Sequence, residues 1–96
     1  MRELQEVLDH IFSQTVNRII LSNPENNQGY QKIAVRRIQI KGELKYQFEK
    51  YTRTQVFHEN LTAEEAKKSL LHCLQTQFRQ MEALTDVQTH LWKRSK

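Results

Sequence analysis

Four histidines and one cysteine are the first side chains to consider as metal ligands or as a general base in this chain. His72 and Cys73 are neighbours in a segment with helical periodicity, so their side chains diverge by about 100° and cannot share an ion. His58 follows strand-like residues and precedes a helix start, where a histidine is either a general base or an ordinary surface residue. The glycines are Gly29 and Gly42, so no glycine-rich loop can cradle a phosphate or a nucleotide. We therefore expect no catalytic residue, no metal ligand and no cofactor-binding residue in this chain.

Basic side chains in the middle third of the chain are the remaining candidates for a binding site. Residues 30–58 carry seven basic and two acidic groups, and the whole chain has a net charge of +4. Sheets that bind single-stranded RNA combine basic side chains with exposed aromatic rings, although an ordinary solvated sheet face can carry a similar charge. The candidate contacts for a substrate or for RNA are Arg36, Arg37, Lys41, Lys45, Lys50, Tyr51 and Arg53.

A hairpin in the middle of the chain must position most of these residues. Its two-residue turn is predicted at Lys41-Gly42. After the turn, Tyr46 and Phe48 alternate with polar residues, which predicts a half-buried strand with Tyr46 facing the core. Tyr51 is then the aromatic residue left for an exposed basic face.

The strand before the turn changes its apolar phase at Arg36-Arg37. Ile33 and Val35 share one side of this strand, whereas Ile38 and Ile40 share the other. Such a change predicts either a β-bulge or a strand that changes its covering partners.

Two helices flank the strands. Apolar residues at helical spacing predict the first helix over residues 2–14, followed by a strand at 18–22 and a loop at 23–29. After a short strand at 53–58, Thr62 and Glu65 have the spacing of a capping box.

The second helix is predicted to extend from this box to residue 81. Its apolar face includes Phe78, Met81 and Cys73, and a buried cysteine acts as a small hydrophobic residue. The alternation after this helix favours one last strand. The order α-β-β-β-β-α-β predicts an α+β domain, with an antiparallel sheet of three to five strands and both helices packed on one face.

The composition limits the size and the cellular setting. A chain of 96 residues makes one domain, and its single cysteine excludes an internal disulfide and suits a reducing compartment. The N-terminus lacks the basic-then-apolar order of a signal peptide, and no apolar run approaches the roughly 18–20 residues of a membrane span. We therefore expect a cytoplasmic domain without membrane contact.

Four stretches of the chain carry a likeness to a known family. They are residues 40–47 (IKGELKYQ), 49–60 (EKYTRTQVFHEN), 19–24 (IILSNP) and 61–66 (LTAEEA). Together they resemble the N-terminal region of a group of bacterial class I S-adenosylmethionine-dependent methyltransferases. The resemblance covers nearly the whole chain and involves ordinary residues, not catalytic ones.

The resemblance implies that a catalytic domain with a glycine-rich loop for S-adenosylmethionine lies beyond Lys96. This chain would then be an N-terminal accessory domain, with the catalytic domain as its partner and a basic surface that orients the substrate. An ending in strand residues and Trp92 favours a domain cut from a longer protein, with an apolar strip near Trp92 that the missing part would cover. The alternative is a free-standing protein- or RNA-binding module.

Overall fold

The structure is a computed structural model that describes residues 2–14, 16–85 and 89–93, and the side chains of residues 4–14 and 16–84. Within these ranges the chain forms two helices and six strands. Their bounds are α1 Arg2–Phe12, β1 Val16–Ser22, β2 Lys32–Ile40, β3 Glu43–Tyr51, β4 Val56–Leu61, α2 Ala63–Thr76, β5 Gln80–Thr85 and β6 Thr89–Lys93. The predicted α+β class, with two helices and an antiparallel sheet, is confirmed. The segment after α2 forms two strands where one was predicted.

The described strands belong to one antiparallel sheet with the order β4-β3-β2-β1-β5-β6. Strands β1 to β4 form a meander in which each strand pairs with the next along the chain. After α2, strand β5 returns to pair with β1, and β6 pairs with β5. The first strand of the chain therefore lies inside the sheet, between β2 and β5.

Both helices pack on one face of the sheet through a single hydrophobic cluster. Helix α1 contributes Leu4, Leu8 and Ile11, and α2 contributes Leu70 and Leu74. Successive side chains of a strand point to opposite faces, so each strand buries alternate residues. The buried strand residues are Val16, Ile19, Leu21, Ile33, Val35, Tyr46, Phe48, Met81 and Ala83. The predicted inward orientation of Tyr46 is confirmed, and burial raises the pKa of its phenol above the ordinary value.

The predicted capping box at the start of α2 is confirmed. The Thr62 hydroxyl accepts a hydrogen bond from the Glu65 backbone N–H at 3.2 Å, and the Glu65 carboxylate accepts one from the Thr62 N–H at 2.9 Å. Two N–H groups that the helix itself leaves unpaired are thereby satisfied. The hydrogen bonds from Thr62 lower the pKa of Glu65 below its ordinary value.

Helix α2 ends at Thr76, five residues before its predicted end at residue 81. The backbone N–H groups of Gln77 and Phe78 both donate to the Cys73 carbonyl, which closes the last turn. Gln77 also anchors the β1–β2 loop, because its side-chain oxygen accepts from the Tyr30 N–H at 3.3 Å. Phe78 is buried in the connection that follows, and Met81, also predicted to be helical, is buried in β5. The apolar spacing alone could not separate the two elements.

Strands β2 and β3 pair in one continuous register, from Lys32 opposite Tyr51 to Ile40 opposite Glu43. The predicted alternative of a β-bulge in β2 is therefore wrong. Instead, the β2–β3 hairpin extends past the strands on either side of it. The pairing of β1 with β2 stops at Arg36, and that of β4 with β3 stops at residue 46. Residues 38–45, which we call the hairpin arm, extend beyond both flanking strands.

The predicted turn at the tip of the hairpin arm is confirmed. Lys41 and Gly42 have φ values of 52° and 82°. Positive φ at both central residues defines a type I′ turn, which matches the twist of a two-residue hairpin.

Candidate binding surface on the open sheet face

The sheet face opposite the helices is bare in the part of the chain that the structure describes. Because side chains alternate along each strand, the residues between the buried ones point to this face, which we call the open sheet face. Its central side chains are Arg18, Ile20, Ala34, Arg36, Gln47, Glu49, His58, Asn60, Glu82 and Leu84.

Four polar side chains form a line across the open sheet face, which we call the arginine row. Arg18 of β1 lies directly opposite Arg36 of β2. Gln47 of β3 lies opposite Arg36, and Asn60 of β4 lies opposite Gln47. Residues directly opposite each other in an antiparallel pair share a face, with Cβ atoms about 5 Å apart. Across the described residues, none of these four side chains has a hydrogen bond or an ion pair.

An irregularity in β1 places the first arginine of this row. The register between β1 and β5 shifts between Val16 and Arg18, where two steps along β1 match one step along β5. This β-bulge lets Val16 and Ile19 both face the core, while Arg18 between them is exposed. The sheet thus gains a buried valine without turning Arg18 inward.

The short side chain of Ala34 leaves a shallow depression beside the arginine row. Arg18, Arg36, Gln47 and Glu49 line this depression together with Ala34. The Glu49 carboxylate therefore lines the same depression as the two arginines.

One end of the open sheet face carries a cluster of three residues whose side chains already have partners. The Tyr51 hydroxyl donates to the Glu49 carboxylate at 3.2 Å, and the Lys32 ammonium lies 5.3 Å from the centre of the Tyr51 ring. Partial desolvation, together with the charge of Glu49 and this hydrogen bond, raises the pKa of Tyr51. This cluster therefore holds one acidic and one basic residue, whereas the arginine row holds two basic residues.

The seven residues predicted to contact a substrate or RNA lie on both faces of the sheet and in two turns. Arg36, Lys45 and Tyr51 belong to the open-face side of their strands, whereas Arg37 and Lys50 alternate toward the helix side. The other two lie in turns, Lys41 at the tip of the hairpin arm and Arg53 between β3 and β4. The seven residues do not form one patch.

Lys50 is the clearest case of a predicted contact that is occupied within the fold. Its ammonium lies 2.9 Å from the Glu59 carboxylate. It also lies 5.7 Å from the ring centre of Tyr30 and 5.8 Å from that of Phe48. Lys50 therefore covers the edge of the core and holds β4 against β3.

Three members of the arginine row, Arg18, Gln47 and Asn60, were not predicted from the sequence. They come from three different strands and are separated by long stretches of chain. Only the pairing register places them in line with Arg36. The one local signal was that Arg18 stands at the edge of an apolar run, and this did not reveal its partner.

The hairpin arm offers a second exposed surface. Ile40 and Leu44 are among the large apolar side chains with the greatest exposure in the described chain, together with Val56 and Phe57 of β4. The carboxylate of Glu43 lies 3.8 Å from the Lys45 ammonium, so part of the arm's charge is internally paired.

The cysteine and the possible metal ligands are further side chains of chemical interest among the described residues. Cys73 is buried among the core residues of α2, and burial raises the pKa of its thiol. Over the described residues, no group of three or more histidine, cysteine, aspartate or glutamate side chains could hold a metal ion.

No helix in the described ranges is long and apolar enough to cross a membrane. The side chain of Trp92, where an exposed apolar strip was predicted, lies outside the described residues.

No protein-family model matches this chain, and no curated protein or solved structure shows significant similarity to it.

Proposed function

We propose that this chain is a non-catalytic recognition domain that holds its ligand on the open sheet face. The observation that carries the proposal is the arginine row. Arg18 and Arg36 stand side by side, exposed and without a carboxylate partner among the described residues. Because both helices pack on one face of the sheet, the described residues leave its other face open. Among the described residues, no group of three or more histidine, cysteine, aspartate or glutamate side chains could hold a metal ion.

We further propose that this recognition domain is the N-terminal accessory domain of an S-adenosylmethionine-dependent methyltransferase in the cytoplasm. The support is the resemblance over residues 19–24, 40–47, 49–60 and 61–66. A single buried cysteine suits the reducing compartment. In this setting the cofactor belongs to the catalytic domain, and this chain orients the substrate or packs against that domain.

The native gene beyond the codon for Lys96 tests the accessory role. An open frame that encodes a strand and a glycine-rich turn is expected, and a stop codon there would contradict it. Calorimetry with S-adenosylmethionine tests the lack of a cofactor site. We expect no heat of binding to this chain, and saturable binding would disprove that part of the proposal.

The second candidate function is a free-standing module that binds RNA or protein. The observation that favours it is that strands β1 to β4 of this chain, residues 16–61, supply both exposed surfaces, the arginine row and the hairpin arm. A stop codon after Lys96, combined with ligand binding through Arg18 and Arg36, would favour this candidate over the accessory domain.

A further inference from the structure

We infer that the arginine row binds the backbone of single-stranded RNA. This inference rests on the proposed recognition role and specifies the class of ligand. The pairing register of the sheet places Arg18, Gln47 and Asn60 in line with Arg36, and these four residues form the proposed RNA site.

The first step concerns charge, because Arg18 and Arg36 carry positive charges that form no ion pair with the described carboxylates. Like charges directly opposite each other on paired strands repel, so Arg18 and Arg36 raise the free energy of the unliganded sheet. An anion between them would remove this repulsion. A phosphodiester group suits the position because guanidinium groups bind phosphate oxygens through charge-assisted, often paired, hydrogen bonds.

The second step is the continuation of the row. Beyond Arg36, the amides of Gln47 and Asn60 lie in line on the next two strands. Strands are about 4.8 Å apart, so the row from Arg18 to Asn60 spans roughly 15 Å. Each amide offers a hydrogen-bond donor and an acceptor. A single phosphate ion would use only the arginines, whereas a polynucleotide can also bring sugar hydroxyls and base edges to the amides.

The third step distinguishes RNA from an acidic protein segment. The neighbouring line of the open sheet face carries Glu82 and Glu49, on either side of Ile20 and Ala34. A broad acidic peptide would be repelled by these two carboxylates. A single strand that follows the arginine row has Glu49 beside it, and its phosphates lie closest to Arg18 and Arg36 when they stay on the line of the row.

The fourth step concerns the form of the nucleic acid. Side chains cannot read the deep, narrow major groove of an RNA duplex, whereas a flat sheet can support the splayed bases of a single strand. The 2′-hydroxyl both donates and accepts hydrogen bonds, as do the Gln47 and Asn60 amides. The roughly 15 Å span of the row suits a short single strand of about two or three nucleotides.

The test is fluorescence anisotropy of this chain with a labelled single-stranded RNA of about 12 nucleotides at low salt. We expect Arg18→Gln and Arg36→Gln each to weaken binding roughly tenfold or more, as for the loss of a hydrogen bond to a charged group. The double variant should also lower the slope of log K against log salt by about 1.4. Lys68→Gln is the matched control, because it removes one exposed positive charge from α2 on the covered side of the sheet. It should leave the affinity unchanged.

A second pair of variants tests the amides. Gln47→Ala and Asn60→Ala should reduce the preference for RNA over single-stranded DNA of the same sequence. Thermal unfolding of each variant checks that the domain stays folded.

The inference fails if the wild-type chain does not bind RNA at low salt, or if the arginine variants bind as tightly as the Lys68→Gln control. It also fails if polyglutamate displaces RNA at equal charge concentration, or if wild-type chain binds DNA as tightly as RNA. If RNA binding is absent but the gene continues into a cofactor-binding domain, only the ligand class is wrong. If the gene stops while RNA binding still depends on Arg18 and Arg36, only the accessory role is wrong.

Discussion

Arg18 and Arg36 lie directly opposite each other on adjacent antiparallel strands, and both are exposed. In the absence of a ligand this pair destabilises the sheet, since like charges opposite each other repel. We expect Arg36→Gln to raise the free energy of unfolding by about 0.2–1 kcal/mol at low ionic strength. The gain should shrink as salt screens the repulsion.

The measurement is urea unfolding of the wild type, both single variants and the double variant, at low and high salt. Because either substitution removes the same repulsion, the double variant should gain no more than the larger single effect. Additive gains would show that the two arginines do not interact.

Leu70 and Leu44 provide a matched pair for locating the core. Leu70 of α2 is fully buried, whereas Leu44 of the hairpin arm is 43% exposed. Leu70→Ala should lower the free energy of unfolding by about 2–5 kcal/mol, because it removes buried methyl groups and leaves a cavity. Leu44→Ala should cost less than about 1 kcal/mol. Denaturant unfolding measures both, and similar losses would mean that the hairpin arm is packed against something in solution.

Thr62 fixes the beginning of α2 through its side chain. Thr62→Ala removes the oxygen that accepts the Glu65 N–H. We expect a loss of about 1 kcal/mol in the free energy of unfolding. The control is Thr54→Ala in the exposed β3–β4 turn, where the described contacts of residue 54 involve its backbone N–H. A loss at Thr54 equal to that at Thr62 would contradict the cap assignment.

The capping box also predicts a pH dependence. Hydrogen bonds from Thr62 lower the pKa of Glu65 in the folded chain. A carboxylate with a lowered folded pKa stabilises the fold fully above its unfolded value of about 4.3, and this contribution is lost as the pH falls through the folded value. Compared with Glu65→Gln, the wild type should therefore lose more stability between neutral and acid pH. Parallel stability profiles for the two proteins would contradict this prediction.

Local patterns in the sequence predicted the hairpin and the cap correctly because both depend on neighbouring residues. Lys41-Gly42 occupies the predicted turn, and Thr62 and Glu65 make both predicted bonds. At the early end of α2, by contrast, Gln77 contacts a distant loop, since it accepts a hydrogen bond from the Tyr30 N–H. The spacing of apolar residues in the sequence does not predict such a contact.

The candidate surface was only partly predictable for the same reason. Charge density alone pointed to residues 30–58, and Arg36 does belong to the arginine row. Lys50, from the same region, is instead paired with Glu59 beside the core. Which basic residues share a face depends on strand pairing, and the partner of Arg36 is an arginine outside the basic region.

The central position of β1 also has a consequence during protein synthesis. Strand β1 pairs with β2 and with β5, and the ribosome releases β5 last of these three. At ordinary rates of translation the interval between the end of β4 at Leu61 and the end of β5 at Thr85 is roughly 1–5 s. Throughout it, the newly made meander presents β1 as an open edge with Ile19 and Leu21 uncovered by the later strand. Until β5 is made, we expect β1 to be an edge on which a second nascent chain could pair.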